Sequence, residues 1–321
     1  MRKFLFFLLL GFRLSGFSQV EPVYSQYMFN PVVINPAYVG VHDMASLYAV
    51  YRQQWLSIDL NSESFRPITS TISGQTTLPK NNIGVGFSFV HDEIGIQTTN
   101  EFNAMIGYKI PFGSKNLSFG LQGGIMSANF DYNKLDLDPD FADDIYFSGS
   151  GKGNGTLPTI GAGVLWSTRS LFLGFSVPRI LQMKFEQSID GNEEIVESSI
   201  DRNYMFTGGY VFHLGNGLKI KPSTLIRYTE SAGGFSGGRV SYDINTSVLL
   251  KESIWLGASV RSFSTMSLMG QLKLSQMFAT GLAWEFPIDA KDLSQIGSTF
   301  ELMLNMNIAI FDVQAIQTIF Y

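Results

Sequence analysis

Cysteine is absent from the 321 residues. That excludes disulfides, thiolate metal sites and a lipid anchor on an N-terminal cysteine. Charge is sparse: Asp, Glu, Lys and Arg make up 15% of the chain, against about 25% in an ordinary soluble domain. The net charge of −5 offers no basic surface to nucleic acid. Three histidines, His42, His91 and His213, are scattered, and none stands at i,i+4 with an acid, as a helical zinc site requires. Beyond the N-terminus no apolar run reaches the roughly 18 residues of a membrane-spanning helix.

What remains is rich in other ways. Hydrophobic residues make up 45% and aromatics 14%, and there are 32 glycines. From Met44 onward, short segments alternate apolar and polar residues. Over 102–110, Phe102, Ala104, Ile106, Tyr108 and Ile110 interleave with Asn103, Met105, Gly107 and Lys109. The same pattern runs through 83–90, 218–228, 240–250 and 300–308. A period of two sustained over this length is that of a strand crossing a bilayer with one face to lipid. The pattern predicts a transmembrane antiparallel β-barrel, all-β, of fourteen strands: 44–55, 66–78, 81–91, 95–110, 115–130, 158–168, 171–178, 202–213, 217–230, 238–250, 253–263, 266–274, 277–286 and 298–309. Alternate connections are short, such as Pro79-Lys80 and Arg169-Ser170. The long ones, 56–65, 131–157, 179–201, 231–237 and 287–297, fall in the other set. An outer-membrane barrel has this asymmetry, with turns in the periplasm and loops outside.

Four regions follow. Residues 1–18 read as a cleaved signal peptide, with Arg2 and Lys3 before a short apolar run and small residues at Gly16 and Ser18. Residues 19–43 form an N-terminal arm, 44–309 the barrel and 310–321 a C-terminal tail. The arm is apolar but carries Asn30-Pro31 and Asn35-Pro36, which favour turns and suit no central strand. A barrel of this width is too wide for its own side chains to fill, so water or a plug must occupy it. The arm is an available plug or periplasmic cap. Tyr27, Asn30, Pro31, Asn35, Pro36, Arg52 and Trp55 are its expected contact set, with the Asn side chains capping turns.

Lys219, Lys221, Arg227, Arg261 and Lys273 all fall on lumen faces. They either line an anion-selective pore or pair with Glu301, Asp243 or a plug. Tyr48, Tyr51, Trp55, Trp166, Trp255 and Trp284 read as interface-girdle aromatics. Enzyme signals are weak. Gly234 to Gly238 fits G-x-S-x-G but lies in a glycine-rich connection, without the strand and helix a nucleophile elbow needs. The acidic run from Asp136 to Asp144 offers carboxylates for calcium but lacks the spacing of a calcium-binding helix–loop. Neither catalytic residue, metal ligand nor cofactor is assigned.

The phrase Gln26-Tyr27-Met28-Phe29-Asn30-Pro31, followed by Ile34-Asn35-Pro36-Ala37-Tyr38-Val39-Gly40, resembles the start of the mature PorP/SprF family. This is the type IX secretion and gliding-motility outer-membrane family of Bacteroidetes. Tyr51 to Trp55 is similar to the family's first-strand YRxQW. His91 to Gly95 is similar to its NDxIG hairpin, with His in place of Asn. Gly297 to Met303 resembles its last strand. The tail from Phe311 lacks the basic, proline-containing ending of the family. The resemblance implies a non-enzymatic barrel that anchors or helps deliver large surface adhesins bearing the type IX C-terminal domain. It also implies periplasmic type IX or gliding components as partners, with outer-membrane lipid around the wall. The alternative is an outer-membrane channel or hydrophobic-solute transporter. Loops 131–157 and 179–201 are the expected contact surface for an adhesin.

Overall fold

The computed structural model describes residues 24–42, 44–56, 66–78, 82–131, 152–182, 184–189, 192–199, 201–215, 217–230, 238–288 and 297–308. The signal segment 1–18, the acidic run 136–144, Ser236 and the tail 310–321 lie outside these residues.

Among the described residues, seventeen strands follow two 3₁₀ turns, η1 (Pro31–Val33) and η2 (Pro36–Tyr38). The strands are β1 (Ala45–Gln53), β2 (Ile68–Thr77), β3 (Ile83–Ile94), β4 (Gln97–Phe112), β5 (Lys115–Asp131), β6 (Lys152–Ser167), β7 (Leu171–Val177), β8 (Lys184–Ile189) and β9 (Asn192–Ser199). They continue with β10 (Arg202–Tyr210), β11 (Phe212–Gly215), β12 (Leu218–Glu230), β13 (Arg239–Leu250), β14 (Ile254–Arg261), β15 (Thr265–Lys273), β16 (Phe278–Pro287) and β17 (Thr299–Ile308). β8 and β9 form a separate hairpin. β10 and β11 are one barrel strand broken at Val211, whose amide donates to the Ser170 carbonyl at 2.7 Å. Every neighbour pair is antiparallel, and β1 closes onto β17, which makes a closed barrel of fourteen strands.

The alternation seen in the sequence becomes two faces. On β4, Glu101, Asn103 and Met105 are buried, whereas Phe102 and Ile106 are exposed. Ile72, Leu121, Ile125, Leu256, Leu268, Leu282 and Leu304 continue the exposed apolar set around the outside. That belt faces hydrocarbon in an outer-membrane barrel, where burying apolar area in lipid replaces burial in a protein core.

Three features differ from the sequence reading. β6 begins at Lys152, because the glycine-rich stretch before Pro158 pairs with the outer half of β5, Gly155 opposite Ala128. The connection 179–201 contains the β8–β9 hairpin. Among the aromatics read as girdle, Tyr51 and Trp284 face outward, but Tyr48 and Trp255 are buried in the lumen. Each shares strand parity with an inward arginine, Tyr48 with Arg52 and Trp255 with Arg261, and period two puts them on the same face.

Candidate functional site

The lumen holds the chain's own segment from Tyr24 to His42. Tyr27, Phe29, Val32, Ala37, Tyr38 and Val39 are at most 3% exposed. A segment buried this deeply must satisfy its backbone groups without water. Two Asn-Pro pairs accomplish part of that locally. Pro31 and Pro36 open η1 and η2, and proline there brings no amide donor to be satisfied. The Pro31 carbonyl accepts from the amides of Ile34 and Asn35, and the Pro36 carbonyl accepts from Val39 at 3.1 Å.

The two asparagines act differently. Asn35 Oδ1 caps η2 by accepting from the Ala37 amide at 2.8 Å, and its Nδ2 donates to the carbonyls of Val164 and Phe175 at 3.2 and 3.4 Å. One side chain therefore ties the turn to both β6 and β7. Asn30 makes no side-chain cap. Its Oδ1 accepts from the Ser73 hydroxyl on β2 at 3.1 Å.

The wall makes room with glycine. Lumen-facing Gly84, Gly107, Gly120, Gly163, Gly174 and Gly281 lie directly against Gly40, Val39, Pro36, Asn35 and Gln26. At Gly84, Gly107 and Gly120, a Cβ would overlap the arm's backbone. A glycine inside a strand marks the close approach of another backbone. Gly40, at φ 79°, turns the arm against Gly84 before the chain enters β1. The sequence shows Gly84 and Gly107 among the polar positions of 83–90 and 102–110, but not what they lie against.

Opposite the glycines, charge holds the start of the arm. Glu301 on β17 accepts the consecutive amides of Ser25 and Gln26 at 2.8 and 2.9 Å. Arg52 on β1 lies within 3.2 Å of Glu301 and 3.3 Å of Glu285, and donates to the Ser25 hydroxyl at 3.0 Å. Arg261 on β14 pairs with Glu285 at 3.0 Å and Asp243 at 3.3 Å. Tyr27 donates its hydroxyl to Asp243 at 3.3 Å, and Tyr24 and Thr71 hydroxyls meet at 2.5 Å. Burial pushes the phenols of Tyr24, Tyr27 and Tyr38 well above the usual tyrosine range, so each is a neutral hydroxyl.

The remaining cations divide by depth. Lys221 is 1% exposed, has no hydrogen-bond partner among the described residues, and lies 5.5 and 4.8 Å from the ring centroids of Phe29 and Trp255. Its charge is held by aromatic faces, one from the arm and one from the wall. Arg227 donates to the Ser241 hydroxyl at 3.3 Å. Lys219 and Lys273 stand at the short-turn mouth and line a cavity there. Trp55 stands apart, half-buried past the end of β1 with φ 61°, and no described hydrogen bond joins it to the arm.

The arrangement is a core turned inside a barrel. Polar and charged side chains of the wall grip an apolar, turn-rich segment, and the arm reaches wall residues on β2, β7, β13, β14 and β17. Among the described residues no three His, Asp or Glu side chains are grouped to hold a metal.

The family model described as type IX secretion system membrane protein PorP/SprF matches residues 16–306. No curated protein matches the chain. Among solved structures, the CymD monoaromatic hydrocarbon channel is 10% identical over 91% of this chain and 94% of its own, with a TM-score of 0.49. A Pseudomonas aeruginosa FadL homologue is 11% identical over 91% and 95%, with a TM-score of 0.47. The Acinetobacter baumannii outer membrane protein Omp33 is 10% identical over 84% and 99%, with a TM-score of 0.43.

Proposed function

The chain belongs to the PorP/SprF family of type IX secretion system membrane proteins, and on that premise we propose that it is a non-enzymatic outer-membrane anchor that retains or helps deliver large secreted adhesins carrying the type IX C-terminal domain. The observation that carries this reading is the filled lumen. The segment from Tyr24 to His42 occupies the space a solute would need, and Glu301, Arg52 and Asp243 bind it by charge and hydrogen bonds. A barrel built this way presents its rim and loops for recognition. In this reading the leader 1–18 is removed on export. The connections 131–157 and 179–201 meet the adhesin outside, and the short-turn end meets periplasmic components of the machinery.

Deleting the gene while following its adhesin by surface labelling tests the role. Loss of the adhesin from the surface, restored by the wild-type chain, is the expected result; unchanged export and retention would overturn it. A channel or hydrophobic-solute transporter is the second reading, favoured by Lys219 and Lys273 at the open mouth. It requires the arm to leave the lumen. Solute-dependent conductance or uptake in liposomes holding the purified barrel would support it over the anchor.

A further inference from the structure

At the short-turn end, below the arm, the wall lines a cavity of about 220 Å³ that opens to the mouth. The strand register explains its chemistry. Lys219, Leu249, Trp255 and Gln271 are successive cross-strand partners on β12, β13, β14 and β15, so they form one row across four strands. Lys273 lies two residues beyond Gln271 on the same face of β15, nearer the mouth. The row therefore reads cation, aliphatic, aromatic, amide, with a second cation at its edge.

Two observations mark it as more than a crevice. Gln271 is 4% exposed, lines the cavity, and its Nε2 has no hydrogen-bond partner among the described residues. A buried donor left without an acceptor costs free energy; turning the Gln271 amide over brings Nε2 to the cavity, where a ligand oxygen would recover that cost. Lys219 and Lys273 line the same space, and neither has an ion-pair partner among the described residues. Glu252 is the one carboxylate among the described lining residues.

We propose that this cavity binds a small amphipathic carboxylate, a single ring or short chain bearing one carboxylate. The apolar body lies on Leu249 and Trp255, and the carboxylate accepts from Gln271 Nε2 and the Lys273 ammonium while Lys219 adds to the positive field. Size sets the class. The volume exceeds the roughly 150 Å³ that holds benzene in an apolar cavity, and falls below the roughly 300 Å³ where drug-sized pockets begin. The site also spans two parts of the molecule, because His42 at the end of the arm lines it together with the wall. An occupant would therefore join the arm's exit to β12–β15.

The test is a titration of the purified full-length chain in detergent with phenylacetate and with its neutral isostere phenylacetamide, read by ligand-observed NMR and calorimetry. Phenylacetate is expected to bind in about the millimolar range or tighter, as suits about ten heavy atoms. The neutral amide is expected to bind about tenfold more weakly, the magnitude of a lost charge-assisted hydrogen bond. Lys273→Gln, at the exposed strand end, should weaken phenylacetate while leaving phenylacetamide unchanged, whereas Gln271→Leu should weaken both, because the amide carbonyl also accepts from Nε2. Equal affinity for acid and amide, absence of binding, or wild-type affinity in both variants would overturn the proposal. None of these outcomes bears on adhesin retention, so the two readings fail separately.

Discussion

Arg52 and Glu301 are Cα partners across the seam where the first strand meets the last, and their side chains pair at 3.2 Å although 249 residues separate them. Both are 1% exposed. The pair closes the barrel and, through the two amides that Glu301 accepts, fixes the start of the arm. Closure and plugging are therefore coupled at one carboxylate.

Removing Arg52 leaves the Glu301 carboxylate buried without its ion-pair partner, which typically costs about 3–5 kcal/mol. Arg52→Ala is expected to lower stability by about that amount, measured by denaturant unfolding in detergent or bilayers, and Glu301→Ala by less, because Arg52 keeps Glu285 at 3.3 Å. The double variant should cost less than the sum, with a coupling of about 1–3 kcal/mol. Strict additivity would show that the two side chains act independently.

The glycines predict a contrast within one strand. At Gly120 a Cβ overlaps the backbone of Pro36 and Ala37, which cannot rotate away. At Gly123, on the outer face, it meets nothing closer than the Thr159 carbonyl at 3.9 Å. Gly120→Val should destabilise by about 1–3 kcal/mol, the cost of overpacking a filled core, and should make the arm accessible to limited proteolysis. Gly123→Ala should leave both measurements as in the wild type.

Asn35 combines a cap with two wall contacts. Asn35→Ala removes the cap to Ala37 and leaves the carbonyls of Val164 and Phe175 without that donor. A loss of about 2 kcal/mol is expected, from roughly 1 for the cap and a similar amount for the buried hydrogen bonds. Asn30→Ala, which breaks only the described bond to Ser73, should cost about half as much by the same measure.

The strands were legible because period two survives in any window, so Phe102, Ala104 and Ile106 declare one face of β4 without knowledge of their neighbours. The barrel's closure was legible from an even strand number and alternating connections. The direction of an isolated aromatic was not. Tyr48 and Trp255 look like girdle residues by type, and only their parity with Arg52 and Arg261 places them inside. The seat of the arm was hidden for a different reason. Gly84, Gly107 and Gly120 carry no side chain, so they show no preference for either face, and the contact they permit joins segments far apart in sequence. Likewise, the sequence offers Glu301 as a partner for lumen cations but does not single out Glu285. Only the register brings Ala283 opposite Glu301, and Ser267 opposite Glu285, so that both carboxylates converge on Arg52.

The arm's place inside the barrel is tested most directly by cysteine crosslinking, for which the cysteine-free chain provides a clean background. Asn30 Oδ1 and Ser73 Oγ are 3.1 Å apart in the lumen, whereas the adjacent Ile72 is 47% exposed on the outer face. Oxidation or a short bismaleimide should crosslink the N30C/S73C pair in membranes and leave N30C/I72C unlinked. Failure of the first pair to crosslink, or equal crosslinking of both, would contradict an arm seated in the lumen.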